Sequence, residues 1–438
     1  MPNSRTSFDI AQLDAAFHLR ALGPRLVLRS PMGVPEWDGR TRRLFAAWLL
    51  GARSGFAAEG SAEAVESEIR RVFGAKFAIA VGSGREAIKL ALLGLGLQPG
   101  ERVVLPSFCC FSVLLPVLEL GLQPVLADVG DDFQIDPASV ARVMRPGDRV
   151  LIVPHLFGGL ADLSQLVEIA RAHGAAVIDD AAQAIGRRGD WGWAGRGGDA
   201  GIFSFGLFKP LNALGGGALL TDDDQLYQRA RQAIAGVPSQ DMGRAAVLKT
   251  WFKVAWRKVS YRAFLHHRRR QQRAEVAGGG PIVSNRHISP ITALNARLAA
   301  AQLADIASMR EQSAILAQRY AAALADLPMF DVPGRGACNG FPRFAIRLAD
   351  DQPTDIYPAL FAALLREGVE VQPTYRPLSR LLREMGHEPQ GEFCRSEMLA
   401  ERVMCLPFSP RQGGAVALEA LRKCIGLNLN PEKSPAWP

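Results

Sequence analysis

The stretch AAVIDDAAQ, Ala175–Gln183, joins an apolar run directly to two carboxylates, which indicates the end of a buried strand. Apolar runs of the same kind lie on both sides of it: FAIAV (Phe77–Val81), RVVLP (Arg102–Pro106), PVLADV (Pro124–Val129), RVLIVPHLF (149–157), AGIFSF (Ala200–Phe205) and GGGALLTDD (Gly215–Asp223). Helical patterns separate most of these runs. Strands that are apolar on both faces and alternate with helices predict a mostly parallel sheet covered by helices on each side. The fold class is therefore predicted to be α/β, with a three-layer α/β/α large domain.

The same alternation predicts how the chain is divided. Residues 1–60 are a mixed N-terminal leader, and residues 61–320 form the large domain with a basic insert at 237–283. After about residue 320 a second, shorter series begins, with FPRFAIRL (Phe341–Leu348) as a strand and a helix near Ala415–Ile425 at its end. Residues 321–438 are thus predicted to form a small C-terminal α/β domain.

Composition places the chain among ordinary globular proteins. It has 438 residues, of which 48% are hydrophobic and 21% charged, and its six cysteines show no CxxC pair and no metal-ligand spacing. We expect reduced cysteines and no metal site. The first residues lack a basic start followed by an apolar run, and no apolar stretch reaches the roughly 20 residues of a membrane span. The predicted location is the cytoplasm.

The net charge of +8 arises in one segment. Ten Lys or Arg residues and no Asp or Glu lie between Arg244 and Arg273, so the rest of the chain carries no basic excess. Residues 248–273 show a basic amphipathic pattern, which predicts a helix on an anionic membrane, a clasp for a phosphorylated substrate, or a helix at a dimer contact or lid. Nucleic-acid binding is not expected, because the charge is local and no reading motif accompanies it.

Three motifs follow the predicted strands and are candidates for chemistry. Gly82-Ser83-Gly84 suits an anion at a helix N-terminus, or it is a plain turn. Asp180 could hold a protonated ring nitrogen with Gln183 beside it, or the aspartates of this strand end cap a helix. The third motif is Ser204-Phe205-Gly206-Leu207-Phe208-Lys209, a lysine that is either desolvated and nucleophilic or solvated at the surface.

A fourth polar residue, His155, follows the strand that begins near Arg149. It could face a cofactor or satisfy the core, and we assign it the structural role. Parallel strands bring the loops at their carboxyl ends to one crevice. The sequence therefore predicts that the glycine turn, Asp180 and Lys209 meet in space.

The order of these motifs resembles the DegT/DnrJ/StrS family of sugar aminotransferases that depend on pyridoxal phosphate (PLP). The similarity runs from about Gly60 to Ile425. Its most specific part is DDAAQ followed by SFGLFK, and further family-like stretches are VGSGREAIKLAL, LQPGERVVLP, GLQPVLADV, VPHLFGGLADL and GGGALLTDD. The resemblance implies the aspartate aminotransferase-like PLP fold type I.

Roles for individual residues follow from this resemblance. Lys209 is expected to form the internal aldimine with pyridoxal 5'-phosphate and to carry the proton during catalysis. Asp180 would pair with the pyridinium nitrogen, and Gln183 would lie beside the 3-hydroxyl group of the cofactor. Some related enzymes have histidine in place of this lysine and dehydrate their sugar, so Lys209 favours transamination.

The remaining cofactor contacts include departures from the family pattern. Gly84, Arg85 and Ser204 are expected to hold the phosphate, although threonine is common where this chain has Arg85. Cys110 stands where an aromatic side chain often stacks on the cofactor ring. The family's Asn-x-Arg element from the partner subunit corresponds to 288–290, Ile-Ser-Pro in this chain.

The resemblance also implies an activity. We expect a homodimer that transfers an amino group, usually from glutamate, to a keto sugar carried on a nucleotide, in the synthesis of a polysaccharide, glycolipid or natural product. The same chemistry on a cyclitol, a lipid-linked sugar or another ketone is the nearest alternative. A regulatory protein that has kept the fold and lost turnover is the alternative from a different class.

Overall fold

The structure is a computed structural model that describes residues 15–22, 28–30, 32, 35–51, 60–237, 245, 247–249, 252, 287–325, 327–331, 343–408 and 414–426. Thirteen strands are described: β1 (Phe77–Val81), β2 (Arg102–Pro106), β3 (Gln123–Ala127), β4 (Val150–Pro154), β5 (Ala176–Asp180), β6 (Arg188–Gly189), β7 (Gly192–Trp193), β8 (Ala200–Ser204), β9 (Gly217–Thr221), β10 (Phe330–Asp331), β11 (Arg343–Leu348), β12 (Gln372–Pro373) and β13 (Val403–Pro407).

The described helices lie between and after these strands. They are α1 (Ala15–Leu22), α2 (Gly39–Leu49), α3 (Ser61–Phe73), α4 (Gly84–Gly94), α5 (Phe111–Glu119), α6 (Pro137–Val143), α7 (Leu163–Ala172), α8 (Asp224–Ala233), α9 (Ala293–Leu303), α10 (Ile306–Leu324), α11 (Ile356–Arg366), α12 (Leu378–Glu384), α13 (Cys394–Ala400) and α14 (Gly414–Gly426). No described helix is long and apolar enough to cross a membrane.

A seven-stranded sheet with the order β1-β9-β8-β5-β4-β2-β3 forms the centre of the molecule. Its neighbours pair in parallel, except that β9 runs antiparallel to both β1 and β8. Successive residues of these strands are buried on opposite faces: Ile178 packs in the cluster that contains helix α4, whereas Val177 packs in the cluster beside α7. Helices cover both faces, so the predicted α/β/α class with a mostly parallel sheet is confirmed.

A second, antiparallel sheet has the order β10-β11-β13-β12. Its apolar residues form a separate core with helices α1, α10, α11 and α14, in which Tyr320, Tyr357 and Phe361 are among the largest buried side chains. Helix α1 thus packs on this second core, while Phe45 of helix α2 packs on the seven-stranded sheet.

Several sequence-based bounds shift in the structure. The sequence pattern predicts one long helix from about Leu294 to Leu327, but the structure has two helices, α9 and α10, which are separated at Ala304 and Asp305. The run VEVQPTY (369–375) predicts a strand, but only the two residues of β12 pair with β13. Most of the basic segment, including its predicted amphipathic helix, lies outside the described residues.

Candidate active site

One cavity of about 500 Å³ lies at the carboxyl ends of the parallel strands. All seven residues that the sequence singled out for the cofactor line it: Gly84, Arg85, Cys110, Asp180, Gln183, Ser204 and Lys209. They lie at the ends of β5 and β8 or shortly after β1, β2, β5 and β8, as expected for a crevice at the strand ends of a parallel sheet.

The floor of the cavity includes a tight contact between helix α4 and the end of strand β8. A Cβ atom on Gly84 would lie 2.7 Å from the Cβ of Ser204, and one on Gly217 would lie 2.5 Å from the Gly84 nitrogen. Glycine is therefore required at both positions. Since the first N–H groups of a helix have no intrahelical acceptor, this arrangement forms a cradle for an anion beside the Ser204 hydroxyl.

Ser83 caps the start of helix α4. The Ser83 hydroxyl accepts a hydrogen bond from the Glu86 N–H at 3.2 Å, while Glu86 accepts from the N–H and hydroxyl of Ser289 at 2.8 and 2.9 Å. Ser289 belongs to the segment that corresponds to the family's Asn-x-Arg element. In this chain it binds helix α4 of its own subunit.

Asp180 and Lys209 share the cavity. The Asp180 side chain is buried, and one of its carboxylate oxygens accepts a hydrogen bond from the Ala182 N–H at 2.9 Å. Burial raises the pKa of Asp180, and the nearby Lys209 charge opposes that rise. Burial lowers the pKa of Lys209, which increases the neutral, nucleophilic fraction of its amine.

Hydrogen bonds of Asn212 hold the turn that carries Lys209. Asn212 donates through its side-chain nitrogen to the Leu207 carbonyl at 2.7 Å, and its own carbonyl accepts from Trp37 Nε1 at 2.6 Å and Gln302 Nε2 at 3.0 Å. Helices and loops distant in sequence thus fix the backbone around the lysine. A fixed backbone orients the amine toward the cavity without help from a ligand.

His155 also lines the cavity, and its ring nitrogens contact other residues of the chain. Its Nδ1 accepts a hydrogen bond from the Ala161 N–H at 3.1 Å, so Nε2 carries the proton and lies 2.9 Å from Asp179 Oδ1. Both side chains are fully buried. Asp179 also accepts from the Gly197 N–H at 3.0 Å, so this pair stabilises the floor beneath Asp180.

Tyr375 and Arg343 also line the cavity. Neither was among the site residues predicted from the sequence. Gln183 donates to the Tyr375 hydroxyl at 2.9 Å, and the Tyr375 ring stacks on Phe157 at 5.7 Å. Burial raises the pKa of Tyr375, so the phenol stays protonated. Arg343 lies in β11, and Tyr375 lies just after β12 of the four-stranded sheet. No sequence motif in this region indicates a site.

The two unusual residues of the cavity have distinct surroundings. Arg85 is the second residue of helix α4, and its Nε is buried without a hydrogen-bond partner among the described residues. Cys110 lies at the N-terminus of helix α5. Phe108 and Tyr375 approach each other edge to face at 5.8 Å, so they supply aromatic surface in this region.

These features fit pyridoxal 5'-phosphate. The cradle at helix α4 with Ser204 and the unpaired Arg85 Nε suits a phosphate, and the buried Asp180 carboxylate suits a protonated ring nitrogen. Lys209 supplies a primary amine in the same cavity. The described residues contain no group of three or more His, Cys, Asp or Glu side chains placed to hold a metal ion.

Comparisons with known proteins agree with this geometry. Residues 49–417 match the model of the DegT/DnrJ/EryC1/StrS aminotransferase family. The chain is 37% identical over 169 residues to a protein of Geobacillus stearothermophilus named "Pleiotropic regulatory protein". That alignment covers 38% of this chain and 45% of the relative, so the chain spans less than half the length of this curated protein.

Solved structures resemble the chain over almost its whole length. DesV of S. venezuelae, determined in complex with a ketimine intermediate, is 26% identical with a TM-score of 0.68, and the match covers 89% of this chain and 94% of that one. The E. coli GDP-4-keto-6-deoxy-D-mannose-3-dehydratase with bound hydrated PLP is 17% identical with a TM-score of 0.70, covering 91% and 99%. At 17% identity, the second similarity establishes the fold alone.

Proposed function

Because the chain belongs to the DegT/DnrJ/EryC1/StrS aminotransferase family, whose enzymes depend on pyridoxal 5'-phosphate, we propose that it transfers an amino group from an amino acid to a keto sugar. Glutamate is the proposed donor, and a nucleotide-activated sugar is the proposed acceptor. The observation that carries this proposal is the convergence of Lys209, Asp180 and the Gly84–Ser204 cradle on one cavity.

Different residues of the cavity would bind the cofactor and transfer protons. Gly84, Arg85 and Ser204 would hold the phosphate, and Asp180 would keep the ring nitrogen protonated. When bound, the cofactor supplies an aldehyde carbon that condenses with primary amines and a ring that withdraws electrons. Lys209 supplies the amine that first holds it.

Lys209 has a second task once the donor's amine has taken its place. Its lowered pKa leaves the Nζ atom able to accept a proton from the donor's α-carbon, which it would pass to the cofactor within the same half of the cycle. In the second half the same amine would run in the opposite direction and deliver a proton to the carbon of the acceptor. Gln183 and Tyr375 line this cavity and are joined by a hydrogen bond, and Phe157 packs against the Tyr375 ring. We expect these side chains to limit the access of water to the reacting atoms. These contacts favour transfer of the amino group over hydrolysis.

Replacement of the lysine tests the proposal. Reduction of the wild-type protein with borohydride should attach the cofactor to the peptide that contains Lys209, as detected by mass spectrometry. Lys209→Ala should lose this label, and amine transfer should fall by at least about 100-fold, the lower range for a positioned acid–base group. The control is Lys76→Ala, since Lys76 is half-exposed and pairs with Asp224 on the surface. Full activity in Lys209→Ala would refute the assignment.

The acceptor requires its own experiment. Purified protein loaded with the cofactor would be given glutamate and a panel of nucleotide-linked keto sugars, and the formation of 2-oxoglutarate and amino sugar measured. Amination of a panel member supports the proposed acceptor. Turnover with a cyclitol or lipid-linked ketone alone would replace the acceptor class and keep the chemistry.

The name of the Geobacillus relative supports a second candidate, a regulatory role without turnover. The two candidates differ in what they require of the lysine. If a strain that carries Lys209→Ala keeps its wild-type phenotype, the regulatory role is favoured. Loss of the phenotype favours the aminotransferase.

A further inference from the structure

Arg343 is the first residue of strand β11 and reaches the cavity from the four-stranded sheet. Its guanidinium carbon lies 5.4 Å above the ring of Phe208, the residue before Lys209. The guanidinium is close enough to Lys209 that its charge contributes to the lowered pKa of that amine. Arg343 is therefore a second cation beside the reacting lysine.

Within the part of the chain that the structure describes, this cation has no counter-ion. No described carboxylate lies within ion-pair distance of Arg343, and its Nε is buried without a hydrogen-bond acceptor among the described residues. The segment 332–342 that precedes it contains no Asp or Glu. Arg347 in the same strand is the contrast, because it contacts Asp131 at 2.9 Å and Asp331 at 2.6 Å.

An unpaired guanidinium in a partly desolvated cavity is costly, and an anionic ligand would remove that cost. The cofactor phosphate has its own cradle at helix α4, which contains a separate unpaired arginine, Arg85. Arg343 lies instead beside Phe208 and Lys209. An anion bound by Arg343 would therefore lie close to the amine of Lys209, at the position where the donor's amine takes the place of the lysine.

We propose that Arg343 binds the α-carboxylate of the amino-acid donor. An α-amino acid carries its carboxylate on the carbon that bears the amine, so an amine delivered to the position of Lys209 brings the carboxylate to the neighbouring cation. The planar guanidinium offers two parallel N–H donors to a carboxylate, and its packing on Phe208 fixes the plane. This inference rests on the proposed function, since it concerns the donor of that reaction.

Two measurements test Arg343 without full turnover. The first is calorimetric binding of glutarate, a dicarboxylate that has no amine and cannot react. The second is the concentration of glutamate needed to bleach the visible band of the lysine-bound cofactor when no acceptor is present. In Arg343→Gln both should weaken by about 10- to 100-fold, as for a lost hydrogen-bonded charge contact. Arg343→Lys keeps the positive charge but lacks the two parallel N–H donors of a guanidinium. Its affinities should lie between those of the wild type and of Arg343→Gln.

The specificity of the effect separates carboxylate binding from general damage. Wild-type protein should prefer glutamate to glutamate α-amide, and Arg343→Gln should lose most of that preference. The visible band and the melting temperature of the variant should match the wild type. Arg383→Gln is the control, because Arg383 is exposed and pairs with Glu397.

Unchanged glutarate binding and an unchanged preference for the carboxylate in Arg343→Gln would overturn the inference. Failure of the proposed function would give a different result. In that case no amino acid would bleach the visible band of the lysine-bound cofactor, even in the wild-type protein. The glutarate titration still decides the role of Arg343 in that case. The two failures are thus distinguishable.

Discussion

At the scale of single residues, two adjacent aspartates have opposite surroundings. Successive side chains of a strand point to opposite faces, so Asp180 faces the cavity while Asp179 contacts His155 and the Gly197 N–H. The same residue type therefore has a proposed catalytic role at one position and a structural role at the next.

Replacing each aspartate by asparagine should separate these roles. Asp180→Asn should reduce amine transfer by about 100-fold or more, as for the loss of one preorganised electrostatic group. Its apoprotein should melt at the wild-type temperature or higher: because burial raises the pKa of Asp180, ionisation of its carboxyl costs stability as the pH rises through that pKa, and the amide avoids this cost. Thermal unfolding and turnover of the purified variants are the measurements.

Asp179→Asn is the matched comparison. It should lower the free energy of unfolding by about 1–3 kcal/mol, since His155 Nε2 and the Gly197 N–H lose a charged acceptor. Equal effects of the two substitutions on turnover and on stability would contradict the division of roles.

Gly84, Asp180 and Lys209 were predictable from the residues alone, because each stands at or near the end of a buried strand. Arg85 and Cys110 followed only from the resemblance to the family. Lys209 and Asp180 carry that signal in a few letters of sequence. Arg343 and Tyr375 carry none, because their approach to Lys209 depends on how the second sheet packs against the first. Side chains supplied by a distant core have no local pattern that marks them.

At the scale of elements, helices α2 and α4 both begin with glycine, but for different reasons. Gly84 opens α4 against Ser204, whereas Gly39 opens α2 with no atom within 4 Å of an added Cβ. The two positions form a natural pair for substitution.

Gly84→Ala should displace Ser204 and lower the free energy of unfolding by about 1–3 kcal/mol, the usual cost of overpacking. The dissociation constant for the cofactor should rise, because the displaced hydroxyl lies in the cradle. Gly39→Ala should leave cofactor binding unchanged and alter stability by at most about 1 kcal/mol, in the favourable direction. Cofactor titration and denaturant unfolding check both, and equal cofactor affinity in the two variants would refute the close-packing argument.

Element type was easier to predict than element limits. Strand β1 has the predicted bounds, and β2 does as well, because each apolar run is flanked by polar or turn residues. The division between α9 and α10 has no glycine or proline to announce it, and the chain simply turns at Ala304 and Asp305. Strand β12 is short since Pro373 has no N–H group to extend the pairing.

At the scale of the whole molecule, polar contacts at the edge of the large sheet hold helix α13, which leads into strand β13 of the second sheet. Asp128, just beyond strand β3, accepts hydrogen bonds from the N–H groups of Arg395 and Ser396 at 2.9 and 2.8 Å. It thereby caps helix α13 from outside that helix. The division into domains at about residue 320 stays a prediction.

Asp128→Ala should lower the free energy of unfolding by about 1–3 kcal/mol and also weaken cofactor retention, since Arg343 and Tyr375 reach the cavity from the second sheet region. The control is Asp136→Ala, because Asp136 caps helix α6 within the large sheet region. It should cost about 1 kcal/mol and leave cofactor retention unchanged. Denaturant unfolding and dialysis of the loaded proteins measure both, and identical cofactor loss would argue against coupling between the cores.

The antiparallel strand β9 affects how the protein folds during its synthesis. Residues Phe77–Val81 reach their native neighbours only when Gly217–Thr221 have left the ribosome, roughly 140 residues later in synthesis, and such distant pairing delays folding. Until then the first strand exposes an apolar edge that chaperones or neighbouring nascent chains can bind. Gly217 also packs against Gly84, so a polypeptide that terminates before this strand cannot assemble the anion cradle. Binding of the cofactor therefore has to wait until the ribosome has synthesised residues 217–221.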